Sequence, residues 1–328
     1  MIKLGVIYGG ISTEHDVSMM SAKSVIDNLD KEKYEIHEIY INEYGKWFEN
    51  DEEIYNLIWK LKELDVVFPV LHGLGGEDGT IQGMLEMLKV PYVGCGVLAS
   101  SVGMDKVYTK IVFEKAGIPQ APYMYIRKIE EGYVIINENF EEEELKIEKI
   151  TEKLKYPMFV KPSNSGSSVG VKKATNDQEL KLAIENAGQY DTKILVEQGI
   201  DGKEVECAIL DGKEVMASTV GEIMSAEDFY SFDAKYNIPE SKTVIPAEIT
   251  EEQIEEIRDL AVRAFNAIDG KGLSRVDFFV EKDTAKIYIN EINTMPGFTK
   301  ISMYPKLFEA VGVSYSELLD KLIQNAMK

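Results

Sequence analysis

The sequence predicts a mixed α/β protein, α+β in part, in which a parallel sheet comes first and antiparallel strands come last. In the first third of the chain, short apolar runs at 2–8 and 66–71 alternate with segments of helical periodicity. Such alternation is typical of a parallel sheet covered by helices on both faces. In the last third, two alternating runs, 275–281 and 286–293, are joined by a short polar turn and indicate a β-hairpin.

Composition narrows the class of protein. The chain has 328 residues, enough for two or three domains. Its formal net charge of −21 argues against a nucleic-acid-binding protein, because such proteins present a basic face. Cys95 and Cys207 lie in apolar segments without further metal-binding residues at the right spacing, so we expect buried free thiols and a reducing compartment. No signal peptide or membrane span is predicted, and we expect a cytoplasmic homodimer that acts on a small molecule.

Two glycine-containing loops in the first third are candidate ligand loops. They occupy 9–14 and 72–79, directly after predicted strands, and further strands are predicted at 34–41 and 91–93. Ligands of parallel sheets bind at the carboxyl ends of the strands, where both loops would lie. Glu14 stands at the start of the first predicted helix. It is either a favourable partner of the helix dipole or a carboxylate that receives an ammonium group, and both interpretations stay open here.

The middle third contains one charged segment without a predicted function. A helix is predicted over 101–116, and within the charge-rich residues 127–155 a solvated helix is predicted over Ile147, Ile150 and Leu154. The pattern Thr175-x-x-Gln178 then predicts the start of another helix through a capping box.

A serine- and glycine-rich loop at 163–170 is the first candidate for phosphate binding. A predicted strand at 158–160 delivers Lys161 immediately before it. Small residues let backbone N–H groups approach an anion, hydroxyl groups add donors, and the lysine supplies a positive charge. We therefore expect a flexible cover over phosphates, with a plain turn as the alternative.

A lid is predicted between 221 and 246, where periodicity is lost. Four aromatic residues fall within the eight positions 229–236, which argues against disorder. Helix starts are predicted after this segment at Thr250-x-x-Gln253 and Ser314-x-x-Glu317.

The predicted C-terminal hairpin carries the metal-binding candidates. With its turn near Thr284, antiparallel pairing places Asp277 opposite Glu291 and Arg275 opposite Asn293, all on one face. Two opposed carboxylates are destabilising unless positive charge lies between them. Because every candidate ligand atom is an oxygen, Mg²⁺ is favoured over zinc, and a solvated acidic hairpin is the alternative. The opposite face carries residues suited to a core: Val276, Phe278 and Ile292.

A strand lysine, a serine/glycine cover, a lid and a carboxylate hairpin, in that order, resemble the ATP-grasp enzymes. Seven motifs in register are similar, more narrowly, to those of the D-alanine–D-alanine ligase family. They are Gly9-Gly-Ile-Ser-Thr-Glu14, His72-Gly-x-x-Gly-Glu-Asp-Gly79, Met104-Asp-Lys106, Gly166-Ser-Ser-Val-Gly170, Phe229-Tyr-x-Phe-x-Ala-Lys-Tyr236, Arg275-Val-Asp277 and Glu291-x-Asn-Thr-Met-Pro-Gly-Phe-Thr-x-x-Ser302.

The resemblance implies a domain organisation. A Rossmann-like, pre-ATP-grasp domain that binds substrate would occupy 1–98. The two lobes of an ATP-grasp fold would follow at 99–201 and 202–328, with ATP held between them and the lid at 221–246 in the second lobe.

The resemblance also implies roles for individual residues. For ATP it implies Lys106 and Lys161 at the phosphates, Glu197 and the Ile200 backbone at adenine, Glu204 at the ribose, and further contacts from Ser168, Phe229 and Lys235. For two Mg²⁺ ions, or Mn²⁺ in their place, it implies Asp277, Glu291 and Asn293. For the first D-alanine it implies Glu14, linked to Ser167 and Tyr236. For the oxyanion and second substrate it implies Arg275, Gly297 and Ser302, with His72 and Glu77 also in the substrate site.

The implied reaction is ATP-dependent joining of two D-alanines through a D-alanyl phosphate, which supplies peptidoglycan precursors. Phe232 stands where a tyrosine is common, so the lid would have one hydroxyl fewer. Two alternatives stay open. One is D-serine, or less readily D-lactate, as second substrate. The other is a nucleotide-binding regulator without turnover, whose sign would be the loss of a metal ligand or of Arg275, and none of these is missing.

Overall fold

The computed structural model describes residues 1–224 and 242–328, and within them three sheets follow one another along the chain. The first contains β1 (Ile2–Gly9), β2 (Tyr34–Ile41), β3 (Trp47–Glu49), β4 (Glu52–Glu53) and β5 (Val66–Pro69). Its order is β4-β3-β2-β1-β5, and β1 pairs in parallel with β2 and β5. The predicted parallel sheet is therefore confirmed at its centre. The strand predicted at 91–93 is wrong, because only an isolated bridge joins Val67 to Tyr92 there.

The middle sheet has six strands in the order β10-β9-β11-β6-β7-β8. They are β6 (Tyr123–Ile129), β7 (Gly132–Ile136), β8 (Glu142–Glu144), β9 (Met158–Pro162), β10 (Lys172–Ala174) and β11 (Lys193–Gln198). The helix predicted over Ile147, Ile150 and Leu154 is confirmed, because Ile147–Lys153 is helical, whereas most of the charge-rich segment before it forms strands. Its β-branched residues favour a strand, and Ile135 and Ile136 are buried, which leaves only the end of the segment helical.

The third sheet has five strands in the order β14-β13-β12-β15-β16. They are β12 (Gly202–Leu210), β13 (Met216–Met224), β14 (Lys242–Val244), β15 (Leu273–Glu281) and β16 (Ile287–Asn293). The predicted irregular segment 221–246 begins and ends in paired strands, because Glu222 lies opposite Val244. Loss of regular structure was thus wrongly predicted for 221–224 and 242–244, and the rest of the predicted lid lies outside the described residues.

Helices cover these sheets and connect their strands. The described ones are α1 (His15–Asn28), α2 (Leu57–Lys62), α3 (Thr80–Leu88), α4 (Val97–Met104), α5 (Lys106–Lys115), α6 (Ile147–Lys153), α7 (Asp177–Ala187), α8 (Glu251–Ala267), α9 (Met303–Glu309) and α10 (Tyr315–Ala326). None of them combines the length and apolar character that a membrane span requires.

Side-chain caps set several helix starts. The predicted capping box at Thr250 and Gln253 is confirmed for α8, since each side chain accepts a backbone N–H of the other residue. Ser314 accepts the backbone N–H of Glu317 at the start of α10, as predicted. These local bonds satisfy donors that the first helical turn leaves unpaired.

Two other helix boundaries differ from prediction. The start predicted at Thr175 lies one residue later, because the Asn176 side chain accepts the backbone N–H of Glu179. The single helix predicted over 101–116 is divided by Asp105, whose backbone is extended and whose carboxylate accepts two N–H groups of α5. The division gives α5 its own N-terminus beside the serine- and glycine-rich loop.

The largest buried cluster joins the first sheet to the C-terminal helices. Leu4 and Phe68 of the sheet share it with Tyr304 and Phe308 of α9 and Leu318 of α10. Both ends of the chain therefore contribute to one core, which fixes the N-terminal loops relative to the third sheet.

Cys95 and Cys207 are both free and buried, as predicted. Burial raises the pKa of each thiol to about 12. Both sulfurs are therefore protonated and unreactive at neutral pH.

Candidate functional site

Two adjoining cavities lie between the N-terminal loops, the middle sheet and the third sheet. The larger has a volume of about 460 Å³ and the smaller about 120 Å³. Ser167, Ile223 and Glu291 line both. The two cavities therefore form one cleft, and its larger part has the size typical of a small-molecule site.

The predicted site residues divide between the two cavities. Those that line the larger one are Lys106, Lys161, Ser168, Glu197, Ile200 and Glu204. Those that line the smaller one are Glu14, His72, Glu77, Arg275, Asn293, Gly297 and Ser302. Asp277 lines neither and is 2 % exposed. Phe229, Phe232, Lys235 and Tyr236 lie outside the described residues.

A buried carboxylate holds two lysines at the larger cavity. Lys161 on β9 and Glu197 on β11 come from neighbouring antiparallel strands, and the Lys161 Nζ lies 2.8 Å from the Glu197 Oε2. The Nζ of Lys110, from α5, contacts the other carboxylate oxygen, Oε1. Both carboxylate oxygens are thus engaged by ammonium groups. The side chain of Glu197 therefore serves the two lysines, and its main chain is also available to a ligand of the larger cavity.

The pKa values of this cluster follow from burial and charge. Burial alone raises the pKa of Glu197, but the two ammonium groups outweigh it, and the net pKa is lowered. Burial lowers the pKa of Lys110, and Glu197 compensates only in part. For Lys161 the same burial effect is overcome by Glu197, so its pKa is raised. Lys161 is consequently a permanent cation at the cavity wall.

Lys110 was not predicted as a site residue. It stands four positions after Lys106 on the same helix, and residues at that spacing share a helix face. That spacing is the sequence signal that points to it, although the partner Glu197 is 87 positions away.

The serine- and glycine-rich loop is fastened to the start of α5. Asp105 accepts hydrogen bonds from the Ser163 hydroxyl and the Lys193 ammonium group, and Lys106 Nζ donates to the Ser165 carbonyl oxygen at 2.6 Å. Ser167 has a positive φ of 46°, a conformation that side-chain-bearing residues adopt rarely and that recurs at functional sites. The loop therefore has a defined shape at the point where it turns into the cleft.

Glu14 lies where this loop meets the N-terminal domain. The Ser167 hydroxyl donates to its carboxylate, and the side chain makes no capping bond to α1. A Cβ atom at Gly73 or Gly166 would come within 2.5 Å of the Glu14 Oε2, so a side chain at either position would displace this carboxylate. Glu14 is 8 % exposed and lines the smaller cavity. Its position favours the interpretation as a ligand-binding carboxylate over that as a partner of the helix dipole.

His72 and Glu77 form a buried pair in the second glycine-containing loop. The His72 Nδ1 lies 3.2 Å from the Met295 carbonyl oxygen and 3.6 Å from a Glu77 carboxylate oxygen. Burial lowers the pKa of the imidazole, but Glu77 and Glu14 raise it more, and the net pKa is raised. Burial also raises the pKa of Glu77, which His72 only partly opposes. The pair links the N-terminal loop to the segment after β16.

A row of three carboxylates crosses the third sheet. Glu206 on β12 lies opposite Asp277 on β15, which lies opposite Glu291 on β16. The predicted pairs Asp277/Glu291 and Arg275/Asn293 are confirmed, and Glu206 is a site residue that was missed. The apolar face of the hairpin is buried as predicted.

Arg275 is held within this row of carboxylates. Its Nε and Nη2 donate to the two carboxylate oxygens of Asp277, each at 2.7 Å, and its Nε lies 3.1 Å from the Glu206 Oε2. Burial lowers the pKa of Arg275, but the carboxylates of Asp277, Glu206 and Glu291 outweigh this effect, and the net pKa is raised. The bidentate geometry fixes the guanidinium plane at the smaller cavity.

A β-bulge connects this hairpin to the larger cavity. Beyond Asp277 the register shifts, so that Phe278 lies opposite Ile289 and Asn290 is the extra residue. The predicted regular pairing around Thr284 is therefore wrong on the turn side of the bulge. Bulges re-aim side chains, and here the Asn290 Oδ1 lies 3.4 Å from the Lys161 Nζ.

The predicted metal ligands offer the right chemistry. Asp277, Glu291 and Asn293 supply oxygen donors, and the two carboxylates are opposed as predicted. Within residues 1–224 and 242–328, no three His, Cys, Asp or Glu side chains are grouped closely enough to hold a metal ion. Asp277 is engaged by Arg275, whereas Glu291 lines both cavities. The residues fit Mg²⁺ by donor type, and Glu291 and Asn293 are the predicted ligands that line the cleft.

Gly297 and Ser302 close the smaller cavity. The Ser302 Oγ accepts the backbone N–H of Thr299 at 2.9 Å, and a Cβ atom at Gly297 would come within 2.9 Å of that oxygen. Glycine thus leaves the hydroxyl accessible at the cavity wall.

Comparison with known proteins agrees with this geometry. Family models described as D-ala D-ala ligase N-terminus and C-terminus match residues 3–60 with 56–95 and residues 112–324. A D-alanine–D-alanine ligase of Acetivibrio thermocellus is 50 % identical, over 98 % of this chain and 95 % of the relative. One of Ruminiclostridium cellulolyticum is 47 % identical, over 99 % and 95 %.

Solved structures extend the comparison to three dimensions. The VanG D-Ala:D-Ser ligase of Enterococcus faecalis superposes with a TM-score of 0.86 at 35 % identity, covering 99 % of both chains. The D-alanine–D-alanine ligase of Bacillus anthracis complexed with ATP superposes with a TM-score of 0.81 at 33 % identity, covering 100 % of this chain and 98 % of the other.

Proposed function

The chain belongs to the D-alanine–D-alanine ligase family, and on that premise we propose that it uses ATP to join two D-alanines into D-alanyl-D-alanine. The observation that carries the proposal is the divided cleft. One cavity presents lysines to a nucleotide, the other presents Glu14 and Arg275 to amino acids, and Ser167 and Glu291 line both.

The larger cavity supports nucleotide binding. Lys106 and Lys161 supply positive charge near the serine- and glycine-rich loop, and phosphate oxygens need such charge in the ground state and during transfer. Glu204 and the Ile200 backbone lie along the same wall, where the ribose and the base would bind.

The smaller cavity supports binding of two amino acids. Glu14 would accept the ammonium group of the first D-alanine, whose carboxylate then points to the shared wall and attacks the γ-phosphorus, releasing ADP. The amine of the second D-alanine, after losing a proton, attacks the acyl phosphate carbon, and inorganic phosphate leaves. Arg275 would stabilise the oxyanion formed in that attack, because its guanidinium is fixed beside the cavity.

Mg²⁺ would be held by Asp277, Glu291 and Asn293. When bound, it supplies the Lewis-acid neutralisation of phosphate oxygens that phosphoryl transfer needs. Glu291 is the ligand at the border of both cavities, which suits an ion that serves the nucleotide next to the amino acid.

The second substrate is D-alanine in this proposal. Two relatives named above as D-alanine–D-alanine ligases, from Acetivibrio thermocellus and Ruminiclostridium cellulolyticum, are 50 and 47 % identical to this chain, whereas the D-Ala:D-Ser ligase is 35 % and the Bacillus anthracis D-alanine–D-alanine ligase 33 % identical. The product serves peptidoglycan precursors, and the protein acts in the cytoplasm as a homodimer. The three domains 1–98, 99–201 and 202–328 form its working parts, and Phe229, Lys235 and Tyr236, which lie outside the described residues, belong to the proposed site.

Phosphate release tests the proposal most simply. With ATP and Mg²⁺, D-alanine should give phosphate and a dipeptide identified by mass, while L-alanine should give little, because paired ammonium and carboxylate partners reject the wrong hand. D-alanine mixed with D-serine or D-lactate tests the alternative second substrates. Equal turnover of L-alanine contradicts the assignment, and ATP binding without any turnover points to a regulator.

A further inference from the structure

Lys110 is a buried cation that the proposed reaction leaves without a role. It is 2 % exposed, and it lines neither cavity of the cleft. Its Nζ meets the Glu197 Oε1 and lies 5.9 Å from the centre of the Tyr123 ring. It therefore cannot contact a nucleotide in the cleft, and any effect on the nucleotide has to pass through Glu197.

Stability alone does not account for a lysine at this place. Removing charges from water costs more than a single ion pair returns, and apolar side chains of similar volume are often as stable. A chain selected only for a stable core would do as well with apolar residues at positions 110 and 197. The three charges of Lys110, Glu197 and Lys161 therefore call for a functional explanation.

The charges of the trio give that explanation. Two ammonium groups and one carboxylate carry a net charge of +1, and of these three residues Lys161 and Glu197 line the larger cavity whereas Lys110 lies behind Glu197. Without Lys110, Glu197 would neutralise Lys161 completely, and the net charge behind the phosphate site would be zero. Charge at a partly buried site acts strongly on a polyanion such as ATP.

Burial supports the same conclusion. Glu197 keeps a lowered pKa because both ammonium groups outweigh its burial, so the carboxylate stays charged with Lys110 in place. Lys110 then offsets the negative charge of Glu197, and the charge of Lys161 remains for the cavity.

We propose that Lys110 is a positioning residue of the ATP site, which offsets the charge of Glu197 so that Lys161 acts as a full positive charge on the phosphates. The inference rests on the proposed ATP-dependent function. It adds a residue that contacts neither substrate.

A charge series tests the proposal by equilibrium binding of ATP, measured by calorimetry with the full chain. The variants Glu197→Gln, Lys110→Met with Glu197→Gln, and Lys110→Met carry net trio charges of +2, +1 and 0. Relative to wild type, Lys110→Met should weaken ATP binding by about tenfold, and the double variant should return it to within about threefold. Glu197→Gln should bind ATP at least as tightly as wild type.

Controls separate charge from packing. Lys115→Met removes an exposed lysine from the same helix and should leave ATP affinity and melting temperature unchanged. In steady-state kinetics, Lys110→Met should raise the KM for ATP while the KM for D-alanine changes less than about twofold, because the defect is confined to the nucleotide. Lys110→Arg keeps the charge and should recover part of the loss.

Three outcomes would overturn the proposal. The first is wild-type ATP affinity in Lys110→Met. The second is a double variant that binds ATP as poorly as Lys110→Met. The third is weaker binding in Glu197→Gln, which decides the question even if Lys110→Met fails to fold. Wild-type phosphate release, measured on the same preparation, reports the proposed function separately, so failure of one claim is not confused with failure of the other.

Discussion

The two sides of the cleft use opposite charge arrangements. On the nucleotide side, two lysines share one carboxylate, Glu197, and the trio is net positive. On the amino-acid side, Arg275 lies among three carboxylates of the third sheet, and that group is net negative. The single carboxylate of the first cluster, Glu197, is buried between two ammonium groups. The single cation of the second cluster, Arg275, is buried and contacts two carboxylates. Each wall can therefore attract one kind of ligand while its own charges stay fixed.

The arrangement also explains why the walls meet at Glu291. A nucleotide brings negative charge to the positive wall, and a divalent cation brings positive charge to the negative wall. Glu291 lines both cavities, so the cation and the phosphates would meet there.

The largest effect is expected for Glu291→Gln. It removes a proposed metal ligand and one charge of the negative wall, so kcat should fall by on the order of a thousandfold. The fold should persist, because the substitution relieves repulsion with Asp277 across the hairpin. The measurement is phosphate release together with thermal unfolding, with Glu256→Gln on the exposed side of α8 as matched control. Near-normal turnover, or loss of the fold, would count against the opposed-carboxylate account.

A smaller effect is expected for Glu206→Gln. It removes the charge of one of the two carboxylates that contact Arg275, and losing this buried ion pair should lower kcat/KM for D-alanine roughly tenfold. ATP affinity should stay unchanged, because Glu206 lines only the smaller of the two cavities. If ATP affinity falls as much as kcat/KM, the two walls are not independent.

The smallest effect concerns pH and His72. Burial lowers the pKa of this imidazole, but Glu77 and Glu14 raise it above the ordinary value. The folded state therefore favours the protonated form, and that stabilisation is complete below the unfolded pKa of about 6.5 and is lost as pH rises through the folded value. His72→Gln should thus destabilise the protein more at about pH 6 than at about pH 9. Thermal unfolding of both proteins across this range provides the test. A difference in melting temperature between them that grows as pH rises would contradict the prediction.

The hairpin was the most predictable part of the site. Alternation along two strands fixes which side chains share a face, so the pairs around Asp277 and Arg275 follow from the sequence. The bulge at Asn290 does not, because it depends on how the strand meets the rest of the cleft. Glu206 had a sequence signal, since Glu204 and Glu206 stand two apart on one strand and share a face.

Residues that act through tertiary contacts were harder to predict. Lys110 and Glu197 are 87 positions apart, and only the packing of α5 against β11 brings them together. Within the charge-rich segment 127–155 the helix over Ile147, Ile150 and Leu154 was predicted, but the strands before it depend on pairing with β6 and were not. Local patterns thus predicted the hairpin strands of the site correctly. They did not predict the contact between Lys110 and Glu197, which depends on the tertiary fold.

ATP affinity measured with and without Mg²⁺ tests the division of the cleft most directly. In EDTA, Lys110→Met should bind ATP more weakly than wild type, and Glu291→Gln should bind it at least as tightly as wild type. On addition of Mg²⁺, binding should tighten in wild type and in Lys110→Met but not in Glu291→Gln. If Lys110→Met and Glu291→Gln change the ATP affinity in EDTA in the same way, and also change its response to Mg²⁺ in the same way, the two walls do not have separate roles.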